Sequence, residues 1–301
     1  MLKDLNHHRG APAQRAADIA IAGGGIAGLI LATRLARAGL RVILLESGGR
    51  VAQEPDPVLS DVAFLRQPYR GALEGRARGL GGTSVKWGGA LIPFHPSNFR
   101  PRPGWPRWPF GFEALAPYLS EAEALFRLGA GAYEESGGAE RGFRLREAKW
   151  PRFGRRNLAR LLRREIAAGD GPEIWLNAAA RRVIMAEGRV AGVEAVSLTG
   201  ARLTVRAPTV VLAAGALETT RLLLLLDAHC EAEGRSPLAG RAHLGRALQD
   251  HLSLAAATID AADPARLNAF AGFRFHQGAI WAKPAAPSAP ISSKRGLRIM
   301  P

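Results

Sequence analysis

Between Asp18 and Glu46 the chain reads Asp-Ile-Ala-Ile-Ala-Gly-Gly-Gly-Ile-Ala-Gly, then apolar residues at helical spacing, then a second apolar run closed by an acid. Few local patterns restrict a fold so tightly. Asp18 to Ala22 reads as a short buried strand, and Ile26, Leu29, Ile30, Thr33 and Leu35 recur at helical spacing up to the stop at Gly39. Leu40 to Leu45 supplies a second parallel strand. In such a strand–turn–helix unit Gly23 permits the tight turn, Gly25 keeps a Cβ away from whatever approaches, and Gly28 lets helix and strand pack closely. The first helical N–H groups, at Ile26 and Ala27, then face the turn and favour an anion. A pyrophosphate suits that position, and Glu46 at the end of the second strand suits ribose hydroxyls. An acid there argues against a 2′-phosphate, hence against NADP.

With 35 glycines among 301 residues a lone glycine pattern would mean little, so the weight rests on the ordered strand, helix and distal acid. The length allows one large or two ordinary domains with an ample core. One cysteine, Cys230, excludes an internal disulfide framework and a cysteine-cluster metal site; it reads as a small hydrophobe near a helix end. The formal charge of +15 raises the question of nucleic acid. It is spread along the chain as arginine, with lysine only at positions 3, 86, 149, 283 and 294, and no recognised nucleic-acid motif accompanies it. Residues 1 to 15 lack the apolar core of a secretory signal, and no segment approaches the roughly 18 apolar residues of a membrane span. The expected compartment is cytoplasmic by default.

A loop-like stretch runs from Gly48 to about Tyr69, and a second glycine cluster follows from Arg76 to Gly89. It suits a backbone laid against a charged, planar ligand, or else a glycine-rich surface loop. Pro101 to Pro109 should be irregular. Helical spacing returns over Phe112–Phe126 and Asn157–Ala167. Residues 173–177, 180–186, 189–197, 203–206 and 209–213 read as strands, with Glu187-Gly188 as a hairpin turn. Val210 to Gly215 is a buried strand ending in small residues, and a helix follows from Ala216 through Leu226. Past Asp250 the signal decays.

Four separated segments together resemble the glucose-methanol-choline family of FAD-dependent oxidoreductases. They are the Gly23 to Glu46 unit with its Glu46-Ser47-Gly48 ending; Leu80-Gly81-Gly82-Thr83-Ser84 with Trp87-Gly88-Gly89; Gly104-Trp105-Pro106 to Leu115-Ala116-Pro117-Tyr118; and Ala213 to Leu223 with Leu244 to His251. The likeness covers residues 17 to 252.

The resemblance implies an α/β fold: a three-layer, Rossmann-like FAD/NAD(P)-binding domain with a β-meander and the incomplete start of a substrate domain. It implies a flexible tail over 1–16, an FAD domain over 17–252 with an insertion at about 90–150, a partial substrate domain over 253–283 and a disordered tail over 284–301. Gly23, Gly25, Ile26, Ala27, Gly28 and Glu46 would hold the diphosphate and adenosine ribose. Gly81, Gly82, Thr83 and Ser84 would line the pyrophosphate and ribityl side, Val183 would meet adenine through its backbone, and Ala213 and Gly215 would close over the adenosine. Lys86 stands where some relatives carry a flavin-linked histidine, so the FAD is expected to be noncovalent.

The expected reaction is oxidation of a CH–OH group of an alcohol, sugar or sterol, with hydride passing to flavin N5. The histidine that serves as base in the family lies in a C-terminal substrate domain. His251 and His276 are the late histidines here, and neither stands in a matching motif, so no catalytic residue and no metal ligand is assigned. His251 reads as structural, and the chain reads as a truncated or frame-shifted product. The alternatives are a flavin-binding fragment without turnover and an NAD-dependent Rossmann dehydrogenase.

Overall fold

The first strand, β1 (Leu2–Asp4), lies inside the expected flexible tail yet pairs in parallel with a strand some 170 residues later, Leu2 opposite Ile174. This is a computed structural model, describing residues 1–52, 57–103, 107–129, 131–133, 143–235, 238, 241–250, 262–276, 279–282 and 285–287. After β1 come β2 (Ala13–Ala16), β3 (Ile19–Ala22), α1 (Ile26–Arg37), β4 (Val42–Leu45), α2 (Pro57–Ser60) and α3 (Arg70–Glu74). The middle of the chain forms α4 (Leu119–Phe126), β5 (Phe143–Leu145), β6 (Ala148–Trp150), α5 (Leu158–Leu161) and α6 (Arg163–Ala167). Then follow β7 (Glu173–Leu176), β8 (Ala179–Ala186), β9 (Arg189–Val196), β10 (Arg202–Arg206), β11 (Thr209–Leu212) and α7 (Ala216–Ala232). The last elements are α8 (Pro264–Ala271), β12 (Arg274–His276), β13 (Ala279–Ala282) and β14 (Ala285–Pro287). The chain divides into two units, residues 1–87 with 156–250 and residues 88–155 with 251–301.

The first unit is built on a parallel sheet in the order β1-β7-β4-β3-β11. Val42, Ile43, Leu44 and Leu45 are all buried, as a strand covered on both faces requires. Ala20, Ile43 and Leu45 pack with Val193, Ala195, Leu203 and Val205 of a second sheet, β2-β10-β9-β8, in which β8, β9 and β10 form an antiparallel meander. Ile21 and Leu44 alternate to the opposite face, and α1 packs on β3 and β4. Helix, parallel sheet and meander give the three layers. Glu187 and Gly188 both have positive φ, 51° and 74°, as a two-residue turn matching strand twist needs.

The expected tail is corrected by its partners. The Met1 ammonium donates to Pro172 O at 2.9 Å, the Asn177 amide donates to both Asp4 carboxylate oxygens, Leu5 is fully buried, and β2 pairs with β10. A three-residue strand carries no readable periodicity of its own; its register comes from β7. The helix expected over Phe112–Phe126 is also shorter, since two 3-10 turns, Phe112–Ala114 and Ala116–Tyr118, precede α4. Pro117 has no N–H to continue an α-helical ladder and disfavours helical backbone at Ala116. The Asn157–Ala167 helix is interrupted at Leu162 (φ −96°, ψ 16°), whereas α7 runs on to Ala232.

In the second unit, β12, β13 and β6 form an antiparallel sheet, and β14 pairs with β5. Ala285–Pro287 therefore take a strand inside the expected disordered tail, of which 288–301 lie outside the described residues. Lys149, fully buried in β6, donates to Glu123 Oε1 at 2.5 Å and to the carbonyls of Gly129 and Gly131 at 2.9 Å, with the rings of Tyr133 and Trp281 over its ammonium. Among the described residues no helix is long and apolar enough to cross a membrane.

Candidate functional site

The site begins where β3, β4 and β11 end together. Gly23 N–H donates to Leu45 O and Ala213 N–H donates to Ala22 O, each at 2.8 Å, so the three strand ends are locked. Gly23 has φ 111°, and a Cβ there would lie 2.4 Å from Ala213 O. Neither demand can be met with a side chain. At Gly28 a Cβ would lie 1.9 Å from Gly23 O, which is the close helix–strand approach the motif calls for. Gly25 differs: it is the N-cap of α1, no side chain caps the helix there, and a Cβ would meet nothing within 4 Å. The α1 N-terminus, with Ile26 and Ala27 in its first turn, therefore opens onto free space.

The second glycine loop lies directly on the first. Gly81 N–H donates to Gly24 O at 2.9 Å, and a Cβ on Gly82 (φ 51°) would come within 2.8 Å of Gly25 Cα. Glu46, only 5% exposed, is the junction. Its Oε2 accepts from Gly24 N–H at 2.7 Å; its Oε1 accepts from Gly48 N–H at 2.8 Å, Gly79 N–H at 3.0 Å and Ser47 Oγ at 3.3 Å. Arg78 donates to Ser47 Oγ and Ser60 Oγ, bracing the same corner. Burial pulls the Arg78 guanidinium down from its ordinary pKa, against the opposing charges of Glu218 and Glu46.

Ser84 is turned inward. Its hydroxyl donates to Gly81 O at 2.6 Å and accepts from Leu158 N–H at 3.0 Å, tying the loop to α5, whereas the neighbouring Thr83 is exposed. Gly215 (φ 82°) opens α7 as a second N-cap without a side-chain partner. Val183 sits in the edge strand β8 opposite Val193, its side chain packed with Leu226 and Cys230 of α7. Any ligand contact it makes comes from backbone. Lys86 is exposed and donates to Glu74 O at 3.3 Å. His251 lies outside the described residues, and His276 belongs to β12 of the other unit. No group of three metal-ligating side chains occurs among the described residues.

Thus Gly23, Gly25, Gly28, Glu46, Gly81, Gly82 and Ala213 converge at one end of the parallel sheet, from segments up to 190 residues apart. The motifs include Gly24, Gly48, Gly79 and Arg78, but the sequence assigns none of them the contact it makes at this corner. Gly79 and Arg78 stand inside the second glycine cluster, but Glu46, the partner of Gly79, and Ser47, a partner of Arg78, are more than thirty residues away, and nothing local marks either pairing.

Comparison with known proteins bears on the same segments. Residues 140–253 match the family model for the GMC oxidoreductases, and residues 21–57 match that of an NAD(P)-binding Rossmann-like domain. Paromamine 6'-oxidase of Streptomyces fradiae is 35% identical over 136 residues, 40% of this chain and 25% of that protein. The 6'''-hydroxyparomomycin C oxidase of Streptomyces lividus is 32% identical over 174 residues, 52% of this chain and 30% of its own length. The match thus spans less than a third of these relatives. Among solved structures, pyridoxine 4-oxidase from Mesorbium loti superposes with a TM-score of 0.48 at 25% identity, covering 70% of this chain and 52% of that one. With a Rossmann-like match over residues 21–57 and the GMC oxidoreductase model matched over residues 140–253, the chain is similar to the GMC oxidoreductases along these two segments.

Proposed function

We propose that the first unit binds FAD noncovalently, as the cofactor-holding part of an oxidoreductase acting on CH–OH groups of small alcohol or sugar donors. One observation carries this reading: two glycine loops stacked on each other beside an uncapped helix N-terminus, at the carboxyl ends of β3 and β4. Open sheets of this kind take ligands there. The residues fit a dinucleotide with two phosphates. Gly25 leaves space that a Cβ would fill, the amides of Ile26 and Ala27 face it, and Glu46 offers a fixed carboxylate. Gly23, Gly28, Gly81 and Gly82 would supply close backbone, exposed Thr83 a hydroxyl, and Ser84 the anchor of the second loop. Val183, Ala213 and Gly215 would lie along the adenosine.

Bound FAD supplies a hydride acceptor at flavin N5. The names of the two Streptomyces relatives support a sugar hydroxyl as donor, and Lys86, in place of a linking histidine, supports noncovalent attachment. An absorbance spectrum of the purified protein tests the reading: the bands of oxidised flavin are expected, and a colourless protein that takes up no added FAD would overturn it. Acid precipitation should release the colour into the supernatant. Anaerobic addition of an alcohol or sugar donor should bleach the flavin band, whereas a flavin binder without turnover would keep its colour. A nicotinamide dinucleotide is the second reading, favoured by the Rossmann-like match over 21–57. It leaves the second glycine loop without a ligand to serve, and NAD displacing bound flavin would be its sign.

A further inference from the structure

We propose that Arg127, Arg152 and Arg155 of the second unit form a binding site for a phosphate group, free or carried as a monoester. Lys149 fixes where they meet. Its ammonium bonds to Glu123 of α4 and to Gly129 O, on either side of Arg127, and Arg152 follows it by three residues at the end of β6. Arg155 N–H donates to Arg152 O at 2.8 Å across the 3-10 turn Phe153–Arg155, and residues three apart in such a turn are eclipsed. Partial burial, and then the charges of Arg127 and Arg152, pull the Arg155 guanidinium below its ordinary pKa, so the three cations lie within one field. Glu123 and Glu147 are committed to Lys149 and Arg274, and among the described residues no ion pair involves Arg127 or Arg155. Arg127 adds a second cost. Leu128 N–H donates to Glu123 O and Arg127 N–H to Ala124 O, a helix closure whose left-handed position ordinarily holds glycine, yet Arg127 stands there with φ 53°. Gathered like charges and a strained backbone stabilise nothing by themselves, and a bound oxyanion with two charges offsets both. Guanidinium forks grip phosphate oxygens two at a time, which selects phosphate over chloride.

The site does not rest on the FAD reading. Titrating the full chain with inorganic phosphate at constant ionic strength, chloride making up the balance, tests it through the Nε–Hε resonances of Arg127 and Arg155. Saturable shifts are expected at both; shifts that chloride reproduces are screening alone and would overturn the proposal. Arg127→Gly and Arg155→Gln should each weaken binding about tenfold to a hundredfold. Arg37→Gln removes an exposed cation of α1 in the first unit and should leave binding unchanged. Equal weakening in R37Q would reduce the site to net charge and overturn it, as would undiminished binding by R127G and R155Q. Without phosphate, R127G should unfold at a higher urea concentration than the unsubstituted chain, and saturating phosphate should close that gap. An unchanged gap, or a variant less stable from the outset, would overturn the proposal, because Arg127 would then serve only the end of α4. Methyl phosphate separates the two sources: binding equal to that of inorganic phosphate supports an esterified ligand, and its exclusion supports the free ion.

Discussion

Gly25 and Gly28 stand three residues apart and answer to different neighbours. At Gly28 the clash would be with fixed backbone, so Gly28→Ala should cost about 2 to 4 kcal/mol of folding stability, read from urea unfolding. Gly25 faces open space, so Gly25→Ala should cost under about 1 kcal/mol while weakening FAD binding, because the added methyl stands where the ligand would. Ser84→Ala loses a bond to Gly81 O and leaves the buried Leu158 N–H unpaired, and should destabilise by about 1 to 3 kcal/mol in the same assay. The glycines were legible in the sequence because their spacing has a single mechanical meaning. Ser84 was not: a hydroxyl next to a glycine pair reads the same whether it faces a ligand or the core, and only the placement of Leu158 decides.

At the level of elements, α1, the meander and its Glu187-Gly188 turn follow from local pattern, whereas β1 and β2 do not. Leu5→Ala distinguishes an ordered start from a loose one: a fully buried leucine should cost about 2 to 4 kcal/mol when truncated, and a mobile tail would cost nothing. The edge held by β1 also carries an acid dependence. Burial pushes Glu173 up, but hydrogen bonds from Lys3 and Trp175 and the charge of Arg15 outweigh it, so its pKa lies below the ordinary glutamate value. A carboxyl held low in the folded state adds stability above its unfolded value and loses it as pH falls through its folded one. Exchange of the Leu2–Asp4 amides should therefore quicken, beyond the intrinsic pH effect, as pH drops below the ordinary glutamate range. Glu173→Gln should abolish that dependence.

Across the molecule, the two units are legible to different depths. The first is governed by glycine geometry and strand pattern; the second hangs on Lys149, whose aromatic and carboxylate partners come from distant segments that no local spacing connects. Burial and the neighbouring Glu123 charge push the Tyr133 phenol up, so it stays protonated beside that ammonium. Lys149→Met leaves Glu123 and two carbonyls without their cation and should cost about 3 kcal/mol, seen as faster exchange over Ala148–Trp150 with Ile19–Ala22 unchanged.

The strand order β1-β7-β4-β3-β11 has a consequence for how the chain is made. On a ribosome, β3 and β4 emerge early, with an unpaired edge on either side of the pair. One edge waits for β7 and the other for β11, nearly two hundred residues after β3. Over that interval the nascent chain presents two apolar strands with open ladders, the arrangement most prone to pair with a neighbour. The site thus closes only once β11 has been made, some 190 residues after the Gly23 turn that begins it.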